Sequence, residues 1–102
     1  MTTSPKDPAD LCASRLKLLA DPTRLQVVRL LLEEAQHAGT LMRRLNIEQS
    51  LLSHHLRVLR EAGLVVGERD GKAVLYRVAS DVVVRQGGEA IDLGCCTLSF
   101  DR

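Results

Sequence analysis

Asp70-Gly71 stands between two runs rich in β-branched and aliphatic residues, Leu64 to Arg69 and Lys72 to Val78. An Asp-Gly pair in that setting is the strongest short-range sign of a β-hairpin, because glycine accepts the positive φ that a two-residue turn demands. The spacing predicts two antiparallel strands closed by that dipeptide, with Arg69 directly opposite Lys72. Just upstream, Gln49 to Ala62 carries Leu52, Leu56 and Leu59 at helical spacing, with Ser50, Ser53, His54 and Arg57 on the other face. Gly63 follows as a helix stop. A polar-faced helix running straight into a hairpin restricts the chain to few architectures.

Earlier elements follow from the same signals. Leu11 to Ala20 reads as a helix with Cys12, Leu16 and Leu19 on one face. Asp21 is suited to cap the next helix and Pro22 to occupy its first turn, where a missing amide hydrogen costs nothing. That helix carries Leu25, Val27, Val28, Leu30, Leu31 and Leu32 over a wide arc, so it is expected at the centre of the core, with Glu33 and Glu34 at its solvated end. Thr40 is the expected cap of a short helix through Leu45, stopped by Asn46. This helix and Gln49 to Ala62 are joined by a tight turn, the helix-turn-helix arrangement.

The chain has 102 residues, 45% of them apolar, with Tyr76 and Phe100 its only aromatics. One modest core of aliphatic side chains fits that length, and a second catalytic domain does not. The expected fold is α+β and mainly helical: a winged helix-turn-helix with a two-stranded wing. Residues 1–10 are expected to form a flexible tail, 11–80 the winged domain, and 81–102 a C-terminal effector-binding or dimerisation segment. Val82 to Val84 are poor helix formers and Gly87-Gly88 would cost roughly 2 kcal/mol inside a helix. Extended runs Val82 to Arg85 and Ala90 to Leu93 around a turn at Gln86 to Gly88 are therefore expected. No stretch is long and apolar enough for a signal or a membrane span, which points to a cytoplasmic protein.

The order of these elements, with Ala20-Asp21-Pro22-Thr23-Arg24, Ser53-His54-His55-Leu56 and Arg60-Glu61-Ala62-Gly63-Leu64-Val65, resembles the ArsR/SmtB family of metal-responsive repressors from Leu11 to Val78. The resemblance implies a homodimer that binds double-stranded, palindromic operator DNA, with no catalytic activity and no resident cofactor. Two features depart from the family. Its arsenic and cadmium sensors often begin the helix before the recognition helix with Cys-x-Cys, where this chain has His37, Ala38 and Gly39. Members also usually end in a long helix, where this chain has a glycine-broken tail.

Net charge is only +1, so DNA contact must come from the distribution of charge. Gln49, Ser50, Ser53, His54 and Arg57 form the expected reading face: short hydroxyls permit close approach, and Gln, His and Arg can bond base edges or phosphates. Arg69 and Lys72, at the hairpin tip, are expected on phosphate, which would also relieve their mutual repulsion. His55, beside Leu56, is expected in the core, bonded to backbone.

Cys95-Cys96 offers two thiolates for one soft ion, and Cys12 is the only other thiol. In the family the first helix lies near the C-terminal element, which implies a three-sulfur site for trivalent arsenic or antimony as effector. Cys12 fits equally well as a small apolar packing residue. A redox-sensing repressor with a Cys12 disulfide to Cys95 or Cys96 is the nearest alternative reading. A small thiol oxidoreductase would need a Cys-x-x-Cys that is missing, and a winged helix used only for protein contacts would tolerate charge reversal at Arg57, Arg69 and Lys72.

Overall fold

The computed structural model describes residues 8–85 and 89–100. Helix α1 spans Pro8–Leu19 and α2 spans Pro22–Glu33. A short strand β1 (Gln36–His37) leads into α3 (Ala38–Leu45) and α4 (Gln49–Glu61). Strands β2 (Val65–Asp70) and β3 (Ala73–Val78) form the hairpin, followed by β4 (Val83–Val84), β5 (Ala90–Asp92) and β6 (Thr97–Ser99).

Local chemistry accounts for most boundaries. Asp21 adopts an extended conformation and its carboxylate accepts the Arg24 amide at 3.0 Å, with Pro22 in the first turn of α2 as expected. Asn46 ends α3 in the left-handed region at φ 55°, and Gly63 follows α4 at φ 77°. Two helix starts differ from expectation. Helix α1 begins at Pro8, so the last residues of the expected tail are helical. His37, not Thr40, occupies the cap of α3; Thr40 lies inside the helix, where its hydroxyl accepts from Arg43.

The hairpin forms in a different register. Asp70 pairs with Ala73 and Arg69 with Val74, so the loop residues are Gly71 and Lys72. Gly71 takes positive φ at the first loop position, where a type II′ turn requires it. Asp70 stays in the strand, its carboxylate held by His37 Nε2 at 2.7 Å. Arg69 and Lys72 are therefore not cross-strand partners, and the expected repulsion between opposed neighbours does not arise.

The wing sheet has three strands in the order β1-β3-β2, not two. Gln36 and His37 pair with Tyr76 and Leu75, which a two-residue strand without periodicity could not announce. Gln36 is buried and its amide donates to the Leu30 carbonyl at 2.8 Å and to the Glu34 carbonyl at 3.4 Å, fastening β1 to the C-terminal end of α2.

The C-terminal region is extended as expected, but it is not a loose appendage. Strands β4, β5 and β6 form a second antiparallel sheet. Ile91 and Leu93 are fully buried and share one apolar cluster with Val27, Val28, Leu41, Leu52 and Leu59. The expected turn at Gln86 to Gly88 lies outside the described residues. On α1, Cys12 and Leu19 face that cluster, while Leu16 does not: it and Leu11 are each 45% exposed. No helix among the described residues is long and apolar enough to cross a membrane.

Candidate DNA interface and cysteine cluster

Helices α3 and α4 pack at a tight turn through Leu41, Leu52, Leu56 and Leu59, all buried. That stripe fixes the rotation of α4, so Gln49, Ser50, Ser53, His54 and Arg57 are all exposed along its outer side. Ser50 donates to Glu48 at 3.0 Å. Among the described residues, no hydrogen bond or ion pair occupies the side chains of Gln49, Ser53, Arg57, Arg69 or Lys72. Their polar groups are free for an outside partner. Arg69 and Lys72 are exposed at the wing tip.

The position of α4 is secured from behind. Arg24 Nε donates to the Leu18 carbonyl at 2.6 Å, and Nη1 donates to His55 Nδ1 at 3.0 Å. One guanidinium thus joins the end of α1, the start of α2 and the buried side of α4. His55 is a core residue as expected, but its partner is this side chain and not backbone. Because Arg24 only donates, Nδ1 must accept, which assigns the neutral ring its proton on Nε2. Burial holds the His55 pKa below the usual imidazole value; nearby Asp21 pulls the other way, and Arg24 and His54 reinforce burial. The Asp21 carboxylate is held below its ordinary value, chiefly by the Arg24 backbone amide it accepts.

Sequence reasoning assigned no role to Arg24, Gln36 or His37. For Arg24 a signal existed: it stands three residues after a helix cap, within the Ala20 to Arg24 motif. For Gln36 and His37 there was none, because their partners lie in other elements.

The cysteines converge. Cys12 is buried on α1, and Cys95 and Cys96 sit in the exposed turn between β5 and β6. Gly94 shapes that turn at φ 102°, its amide bonded to Asp92 at 2.8 Å, while the Leu93 amide meets the Cys96 carbonyl at 2.8 Å. All three sulfurs lie within 4.8 Å of one another. Cys12 and Cys95 are joined as a disulfide with a Cα–Cα distance of 5.8 Å, and Cys96 is free. The segment carrying the pair is thus a defined turn anchored by Ile91 and Leu93.

A polar-faced second helix with a basic-tipped hairpin beside it defines a winged helix-turn-helix DNA-binding protein. Residues 21–66 match the model of the arsR family of bacterial regulatory proteins. The chain is 37% identical over 95 residues to the transcriptional repressor SmtB of Mycobacterium tuberculosis, covering 85% of this chain and 70% of that protein. Among solved structures it resembles the homodimeric winged helix-turn-helix domain of Mb0332 from Mycobacterium bovis (TM-score 0.69, 27% identity, 78% and 75% of the two chains). It also resembles a possible transcriptional regulator for arsenical resistance (TM-score 0.63, 38% identity, 67% and 71%). The chain belongs to the arsR family of transcriptional regulators.

Proposed function

We propose that this protein is a cytoplasmic homodimeric repressor that leaves its operator when trivalent arsenic or antimony binds Cys12, Cys95 and Cys96. The observation that carries the reading is the convergence of three sulfurs within 4.8 Å from opposite ends of the chain. Thiolates are the donors such soft ions prefer, and three of them match a pyramidal trivalent centre, so the donor set fits once the Cys12–Cys95 bond is reduced. The likeness to a possible regulator for arsenical resistance supports the same effector. No resident cofactor is required, and the protein acts by binding and not by catalysis.

Gln49, Ser50, Ser53, His54 and Arg57 enter the major groove, with Arg69 and Lys72 on flanking phosphates. Leu11 and Leu16, exposed on α1, supply an apolar surface for the second subunit, as the homodimeric relative supports. Two α4 helices related by a twofold axis suit a palindrome. The cysteine site joins α1 to the β5–β6 turn, so a bound ion favours one arrangement of the dimer surface over another, and that difference sets the loss of DNA affinity.

The test is operator binding by fluorescence anisotropy under reducing conditions, with and without arsenite. Wild type releases DNA on adding arsenite. Cys95→Ser and Cys96→Ser bind operator normally and lose the response, because hydroxyls are poor ligands for this ion. Cys12→Ser with a weakened response places Cys12 in the site; an unchanged response with lower stability makes it a packing residue. Release of a Cys95→Ser, Cys96→Ser double variant by arsenite overturns the proposed site.

A further inference from the structure

The Cys12–Cys95 bond removes two of the three proposed ligands. A sulfur in a disulfide has no thiolate to offer, so disulfide and soft-ion ligation exclude each other at this site. The bond spans 83 positions of sequence, and its Cα–Cα distance of 5.8 Å lies in the range disulfides require. Both ends are held before any bond forms: Cys12 is buried in the core face of α1, and Ile91 and Leu93 anchor the turn carrying Cys95. The pairing therefore needs little rearrangement of the chain.

We propose that the effector site is gated by oxidation: a peroxide-class oxidant links Cys12 to Cys95, closing the site to metalloid and leaving Cys96 as the single free thiol. The gate rests on reading the three cysteines as the effector site, and it makes the metalloid response conditional on reduction.

Exposure assigns the order of events. The exposed Cys95 thiolate attacks one peroxide oxygen, breaking the O–O bond; it becomes a sulfenic acid, and the departing hydroxide is protonated to water. The Cys12 thiolate, sheltered at 2% exposure, then attacks the Cys95 sulfur. The S–S bond forms, the S–O bond breaks, and the second hydroxide leaves as water with the proton Cys12 released. Two thiols and one hydrogen peroxide give one disulfide and two waters, with two electrons passing from sulfur to oxygen. Cys95 and Cys96, as neighbours, pair with each other only under strain, which leaves Cys96 outside the bond.

The test uses the full chain, reduced with a phosphine, freed of reductant without air and exposed to hydrogen peroxide. Thiols are counted with Ellman's reagent, the linkage is mapped by mass spectrometry of unreduced peptides, and arsenite uptake is measured directly. The expected result is loss of two of the three thiols, a linked peptide pair carrying Cys12 and Cys95, and no arsenite uptake until phosphine is added. Cys96→Ser should form the same bond. Cys95→Ser, altered at an exposed position that keeps the fold, should form no Cys12–Cys95 bond and serves as the control should Cys12→Ser fail to fold. If reduced protein takes up arsenite but peroxide yields no Cys12–Cys95 linkage, the gate is overturned and the effector reading stands. If reduced protein takes up no arsenite, the effector reading falls whether or not the disulfide forms.

Discussion

Arg24 Nη1 donates to His55 Nδ1 at 3.0 Å, and this bond ties the capped start of α2 to the buried side of the helix proposed to read DNA. The Arg24 guanidinium also donates to the Leu18 carbonyl, so its loss leaves that carbonyl and His55 Nδ1 short of a partner, while the Asp21 carboxylate loses an ion pair at 4.0 Å and keeps the Arg24 backbone amide. Replacing it with Met keeps most of the apolar stem and removes the donors. Arg24→Met should lower unfolding free energy by roughly 1–3 kcal/mol, the usual cost of unpartnered polar groups in a protein interior. Urea denaturation measures this directly. Operator affinity should fall as well, because α4 loses a constraint on its orientation; an unchanged urea midpoint would mean the network is not structural.

Acid should weaken the fold through His55. Its folded pKa lies below the unfolded value, so below about pH 6.5 the unfolded chain binds a proton that the folded chain resists. Stability is therefore complete above that pH and declines as pH falls from there toward the folded value. Asp21 adds a loss of the same sign further down: the stability it contributes is present above its ordinary value of 3.8 and fades as pH falls through its lower folded value. Urea midpoints at pH 8 and pH 5.5 should differ in wild type, and the difference should shrink in His55→Gln.

DNA contacts should separate by type. Arg69→Ala and Lys72→Ala should weaken binding to all duplexes about equally and should each reduce the log-log salt slope by about 0.9, the signature of one lost phosphate contact. Ser53→Ala and His54→Ala should change the ranking among operator variants more than overall affinity. Anisotropy titrations across salt and across single-base operator variants distinguish the two patterns. Wing variants that altered sequence preference alone would contradict the phosphate assignment.

The C-terminal sheet should behave as core. Ile91→Ala should cost about 2–5 kcal/mol, as for other large aliphatic side chains with no solvent exposure. Calorimetry should show a single transition at lower temperature, because one apolar cluster joins Ile91 to α2, α3 and α4. An Ile91→Ala protein as stable as wild type would detach the segment from the domain.

Gly63 tests the end of α4. At φ 77° an added side chain is strained even though the nearest atom to a Cβ there, Arg15 Nη2, is 3.5 Å away. Gly63→Ala should therefore cost about 1–2 kcal/mol from backbone conformation alone, read as a shift in the urea midpoint with unchanged slope.

Features that short-range chemistry decides were legible in the residues alone. Asp21 and Pro22 set the start of α2, Asn46 and Gly63 ended α3 and α4, and the Leu52, Leu56, Leu59 stripe decided which side chains of α4 face outward. Asp70-Gly71 announced the hairpin, and the valine run with the glycine pair argued against a helix after Asp81. Each signal acts within a few residues, through caps, turns and helical phase. The rest came from contacts between distant segments. The hairpin loop is Gly71 and Lys72, with Asp70 kept in the strand, where His37, 33 positions away, meets its carboxylate. Strand β1 exists because Gln36 and His37 meet an open edge of β3, and Arg24 matters because packing brings His55 to it. Cys12 meets Cys95 and Cys96 because α1 and the Ile91–Leu93 segment leading into their turn bury against the same core. Contacts between distant segments are set by how whole elements pack, and no local pattern in the chain encodes that packing.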